Sequence, residues 1–87
     1  MVSPADRIAG AVGVLVSEEL GRADGRRIPL YDAIIAIAEK PLIQVVLVHE
    51  RWNLSHAALT LGINRNTLRK KMLDYGIKAT STGSGQA

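Results

Sequence analysis

The segment "GINRNTLRKK", residues 62–71, sets Asn64, Arg65, Asn66, Thr67, Arg69, Lys70 and Lys71 around two apolar residues, Ile63 and Leu68, and no acid follows until Asp74. Arg offers a planar fork of donors that matches guanine edges and phosphates, Asn pairs with base edges or backbone, and Thr and Lys donate to phosphate oxygens. A solvated helix face would mix charges of both signs. This pattern instead expects a negative partner. Enzymatic chemistry has little to build on elsewhere: the adjacent Glu18 and Glu19 would point different ways on a helix, so they do not make an acid/base pair. His49 and His56 have no third metal ligand nearby. "GRADG" lacks the Gly-Lys-Ser/Thr of a phosphate loop and reads as a linker. Asn53-Leu54-Ser55 matches a glycosylation sequon but reads as a helix cap. No enzyme activity, metal, cofactor or small-molecule ligand is expected.

Charge is divided unevenly along the chain. Residues 1–50 carry five basic against seven acidic residues, a net of −2, and residues 51–87 carry six against one, a net of +5. Such asymmetry points the C-terminal half at a polyanion. The chain has 87 residues, and a domain of this size buries only about 60% of its unfolded surface, so oligomerisation would relieve a marginal fold. The absence of cysteine excludes disulfides and thiolate sites and suits a reducing cytoplasm. No stretch reads as a signal peptide: Ala9–Val16 is short, follows Asp6 and runs into Glu18–Glu19. The apolar run at Leu42–Val48 is interrupted by Gln44 and falls far below the ~18 residues of a membrane helix. No membrane association is expected.

These residues need helices to position them. Ser3-Pro4-Ala5-Asp6 is a helix start, with a Ser cap, Pro in the first turn and an early acid at the positive end of the dipole. The first helix is expected over about 4–20, with Ile8, Val12, Leu15, Val16 and Leu20 as its apolar stripe and Gly21 as its end. A second helical pattern begins near Pro29 with Leu30, Tyr31, Ile34, Ile35, Ile37 and Ala38. Pro41 leaves two readings open, a break near Lys40 or one long kinked helix. "LIQVVLV" is apolar nearly all round and is expected to be buried on several sides, more than one small domain supplies. A partner subunit would supply the rest.

In "NLSHAALTLGINRNTLRKKMLDYGI", Asn53 and Ser55 are alternative caps for a short helix that Gly62 ends. Asn64 caps the next helix, which runs from Arg65 to about Asp74. Leu68, Met72 and Tyr75 share one face of it, Asn66 and Lys70 lie opposite, and Arg69 is on the flank. Ala58, Gly62 and Leu68 fall where a helix-turn-helix needs a small residue, a turn glycine and a core anchor. In that motif the first turn of the second helix meets base edges in the major groove. Arg65 is the candidate for guanine, and Asn64 or Asn66 for base edges or backbone. Thr67, Arg69, Lys70 and Lys71 suit phosphates, and Lys70 also reaches toward bases. Trp52 reads as a core or hinge residue. "TSTGSGQA" reads as part of a flexible tail over residues 79–87.

The helix-turn-helix segment resembles the C-terminal part of the Fis family (factor for inversion stimulation), a motif shared by NtrC-type activators, with "AALTLGINRNTLRKK" as its most specific stretch. "LYDAIIAIAEKPLIQVVL" resembles the long Fis helix with an internal proline, which favours the kinked reading of Pro41. The resemblance covers about residues 29–77. It implies an all-α, four-helix subunit forming one domain over residues 1–78, with dimerisation helices at about 4–51 and the helix-turn-helix at 53–77. It further implies a homodimer in the bacterial cytoplasm, at the nucleoid, that binds and bends double-stranded DNA with loose sequence preference. Carried over by position, Asn64, Arg65 and Lys70 would approach bases. Asn53, Ser55, Thr67 and Arg69 would hold phosphates, and Lys71 would lie near the flanking backbone.

There are departures from the family pattern. Trp52 stands where a glycine is common and Asp74 where a basic residue is usual. Only Met1–Ser3 precede the first helix, where the enteric members carry a longer arm, a β-hairpin that touches recombinases, so recombinase stimulation is not expected. Two other readings are a DNA-binding module of an NtrC-type activator, against which the initiating Met and the independent first helix count, and a protein-interaction dimer without DNA binding.

Overall fold

The structure is a computed structural model and describes residues 1–79. The tail expectation for residues 80–87 lies outside the described residues. Within them there are four helices and no strand: α1 (Pro4–Ala23), α2 (Leu30–His49), α3 (Leu54–Leu61) and α4 (Arg65–Tyr75). The all-α expectation is met. Among the described residues no helix is long and apolar enough to cross a membrane. The chain divides into two compact units, Met1–Ile37 and Ala38–Ala87.

In the first unit, Ser3 caps α1: its Oγ accepts from the Asp6 amide at 3.0 Å, and the Asp6 carboxylate accepts from the Ser3 amide at 3.3 Å. This reciprocal box satisfies two orphan donors of the first turn. The helix does not stop at Gly21, as expected, but at Ala23, where Asp24 turns left-handed (φ 51°) ahead of Gly25 (φ 83°). A helical glycine costs only about 1 kcal/mol relative to Ala. An ion pair between Glu19 and Arg22 spans Gly21, and the Ala23 carbonyl accepts from both the amide and Nε of Arg26 at 3.0 Å. The next left-handed pair therefore ends the helix. In this unit only Ala23 is buried among the described residues; Val12, Leu15 and Val16 are half-buried, and Ile8 and Leu20 are exposed. The apolar stripe has formed without a cover inside its own unit.

Helix α2 begins just after Pro29, whose carbonyl accepts from the Ala33 amide at 3.1 Å. It runs unbroken through Pro41, so the two-helix alternative is excluded. Proline removes one helical donor and costs ~3 kcal/mol inside a helix. The turns just after Pro41 place Ile43 and Leu47 in the core, and that burial offsets the local cost.

The second unit is built on the core of Ile43 and Leu47 from α2, Ala57 and Ala58 from α3, Leu68 from α4, and Ile77. All three helices that enter it end alike. Arg51, Gly62 and Gly76 are left-handed at φ 55°, 78° and 65°. Their amides bond back to the Val48, Leu59 and Leu73 carbonyls, and the next amides, of Trp52, Ile63 and Ile77, bond back to Leu47, Ala58 and Met72. This is the Schellman arrangement, which satisfies the last carbonyls and favours an apolar residue directly after the turn. Trp52, Ile63 and Ile77 are those residues, and each packs on the core.

Only the α2 end uses no glycine, and Trp52 is itself left-handed at φ 63°. The backbone explains why a glycine suits position 52, and the packing of the indole on the core explains how a tryptophan is held there. Arg51 is exposed and has no such packing. Arg51→Gly is therefore expected to raise stability by about 1 kcal/mol, read from the midpoint of a denaturant titration. An unchanged or lower midpoint would contradict the assignment of strain to this residue.

Candidate nucleic-acid interface

The pair α3 and α4, joined through Gly62, Ile63 and Asn64, carries the residues singled out in the sequence. Asn53 is the cap of α3: its extended backbone (φ −81°, ψ 104°) lets Oδ1 accept from the His56 amide at 3.0 Å. Ser55, the alternative cap, instead lies inside the first turn, which frees its hydroxyl. Arg65 Nη1 donates to Ser55 Oγ at 3.0 Å. Two residues expected to have separate roles are thus brought together across the turn.

Asn64 caps α4 with Oδ1 accepting from the Asn66 amide at 2.7 Å. Its side-chain carbonyl is committed to the helix, so its NH₂ group is the part suited to an outside acceptor. Leu68 is fully buried at 0% exposure and fixes which way α4 faces. Asn66, Thr67, Arg69 and Lys70 are all exposed, as is Arg65 at the helix start. Lys70 Nζ lies 3.5 Å from Asp74, with the two side chains 76% and 56% exposed. A pair so solvated contributes at most about 1 kcal/mol and exchanges readily for another anion.

Lys71 is placed differently. It is half-buried, and its ammonium lies 3.0 Å from Glu39 on α2. The same carboxylate accepts a short hydrogen bond from the Tyr75 hydroxyl. The Tyr75 hydrogen bond first and the Lys71 hydrogen bond second hold the Glu39 carboxyl below its usual range against the opposing effect of burial, and the Lys71 charge adds to them last. A lowered folded value means that the bond stabilises the fold above the unfolded value of about 4.3 and is lost as pH falls through the folded value. Wild type is therefore expected to melt above Glu39→Gln at pH 7, with the gap closing as pH drops below about 4. A gap that stays constant over this range would sink the assignment.

Glu39 was not singled out by sequence reading. A signal was present: it shares a face of α2 with Ile43 and Leu47, a stripe that Glu50 continues just past the helix end, and acids on a core-facing stripe need donors. Glu50 finds one in the Thr60 hydroxyl of α3 at 2.6 Å. Periodicity identifies the face but not the donor.

Comparison with known proteins bears on this geometry. A family model described as "Bacterial regulatory protein, Fis family" matches residues 34–75. The chain is 42% identical over 59 residues to the DNA-binding protein Fis of Aliivibrio fischeri (strain MJ11), covering 67% of this chain and 60% of that protein. It is 48% identical over 48 residues to the DNA-binding protein Fis of Escherichia coli O1:K1 / APEC, covering 55% of this chain and 49% of that protein. The chain thus spans about half to three fifths of these relatives. The matched segment contains most of α2, both helix caps, the Gly62 turn and the Leu68 anchor. Residues 34–75 are a Fis-family helix-turn-helix region, and it is to that family of bacterial regulatory proteins that this part of the chain belongs.

Proposed function

We propose that this protein binds double-stranded DNA as a homodimer, bends it, and acts at the bacterial nucleoid in the cytoplasm as a sequence-tolerant architectural protein or transcriptional regulator. One observation carries the reading: α4, fixed by buried Leu68, presents Arg65, Asn66, Thr67, Arg69 and Lys70 to solvent with no acid among them. Arg65, Asn64 and Lys70 are assigned to base edges, with Asn66 beside them. Asn53, Ser55, Thr67 and Arg69 are assigned to phosphates, and Lys71 to the flanking backbone. The Ser55–Arg65 bond supports a guanidinium that is already ordered before DNA arrives.

Exposed apolar residues on the first two helices, Ile8, Val14 and Leu20 on α1 and Ile35, Leu42, Val45 and Val48 on α2, support the homodimer. Bending follows if the two α4 helices of a dimer lie closer together than one DNA turn of about 34 Å, since straight DNA then cannot fill both grooves.

The test is competition binding of Arg65→Ala against one preferred and one random duplex at two or more salt concentrations. The variant is expected to lose about 1–3 kcal/mol on the preferred site and much less on the random one. Equal losses would make Arg65 a phosphate contact. Wild type lacking any steep salt dependence on random duplex would remove DNA binding altogether.

A further inference from the structure

Among the cations of α4, Lys71 alone is half-buried against an acid from another helix; the others are exposed. Glu39 presents a carboxylate oxygen 3.0 Å from the Lys71 ammonium, the separation a phosphate oxygen would adopt. It is also tethered: Tyr75, which packs on the core, donates its hydroxyl to the other carboxylate oxygen. The side chain therefore cannot swing aside freely to release Lys71.

We propose that Glu39 is an internal phosphate mimic that competes with DNA for Lys71 and so lowers the sequence-independent part of DNA affinity. Phosphate binding gains its free energy by releasing the counterions around the duplex, one for each cation engaged. A lysine already neutralised by a carboxylate has to leave that partner first, so its contribution is discounted on every sequence. Base contacts from the opposite face of α4 are not discounted. Glu39 acts through Lys71 and is a positioning residue with no direct contact to DNA. The inference rests on the DNA-binding reading above and deepens it.

The experiment measures binding of the full chain to a random duplex over a range of salt. Glu39→Gln retains the shape and a hydrogen bond to Tyr75 but removes the charge. It is expected to steepen the slope of log K against log salt by about 0.9 and to tighten binding on the order of tenfold near about 0.05 M salt. Lys71→Ala in that background is expected to abolish the gain, and the same substitution in wild type to cost at least about threefold less than it does there. Glu18→Gln, an equal change of net charge at an exposed site on α1, is expected to do nothing comparable, and Glu39→Asp to restore most of the wild-type slope. Tyr75→Phe, which removes the tether and leaves the charge, is expected to shift the slope in the same direction as Glu39→Gln by a smaller amount. It serves as the deciding variant if Glu39→Gln does not fold. An unchanged slope in the deciding variant, or a gain that survives loss of Lys71, overturns the mimic while leaving DNA binding intact. Absence of salt-dependent binding by wild type overturns both.

Discussion

Val45→Asp is expected to separate the proposed dimer into single chains and to unfold them at micromolar concentration. In the isolated subunit Val45 is 68% exposed, and a substitution at such a site ordinarily changes stability by no more than about 0.5 kcal/mol. A large effect therefore requires that a second copy covers the residue. In the proposed dimer the carboxylate would be buried without a partner, at a cost of several kcal/mol, and the first two helices would lose the surface that shields their apolar stripes. Wild type should sediment as a dimer, with a melting temperature that rises with protein concentration. A variant that melts as wild type does, with both sedimenting as folded single chains, would refute the homodimer.

Leu68→Ala is expected to cost about 2–5 kcal/mol, the range for deleting a buried leucine side chain whose pocket collapses only in part. Leu68 has 0% exposure and packs among Ile43, Leu47, Ala57 and Ala58, two of which are already alanine and too short to fill the space. Against the 5–15 kcal/mol typical of whole domains, a loss of that size is a large share of what holds α4 in place. Leu73→Ala, on the same helix but 77% exposed, is expected to change stability by less than about 0.5 kcal/mol. Denaturant titrations of the two variants side by side decide the matter. Equal and small effects would mean that the pocket closes over the gap.

What the sequence revealed was local. Ser3 and Asn64 each stand directly before a helical pattern and act within three residues, so their capping roles could be read without knowing what packs where. Gly62 was legible for the same reason. Gly21 was misread because glycine permits a helix end but does not compel one, and the deciding bonds of Ala23 came from Arg26 beyond it. Pro41 stayed open because its local cost had to be weighed against the burial of Ile43 and Leu47, which is tertiary. Arg51 carried no sign of left-handed backbone, since arginine does not favour it, and for Trp52 the one sign was the glycine common at that place in the family, which tryptophan itself does not disclose. Within the candidate site, the exposed face of α4 followed from periodicity. The Ser55–Arg65 bond and the Glu39, Lys71 and Tyr75 cluster join different helices, and no spacing rule along the chain connects them.

The left-handed joint after α2 gives the protein an optical gauge. Trp52 is the sole tryptophan of the chain, it is partly buried against the core, and it immediately precedes the Asn53 cap of α3. Indole emission depends on the polarity and packing around the ring, so emission excited selectively in Trp52, apart from Tyr31 and Tyr75, reports the packing where α2 meets the helix-turn-helix. A denaturant or ligand titration followed by this emission, set beside helicity measured by circular dichroism, separates local loosening at the joint from loss of the whole helical framework.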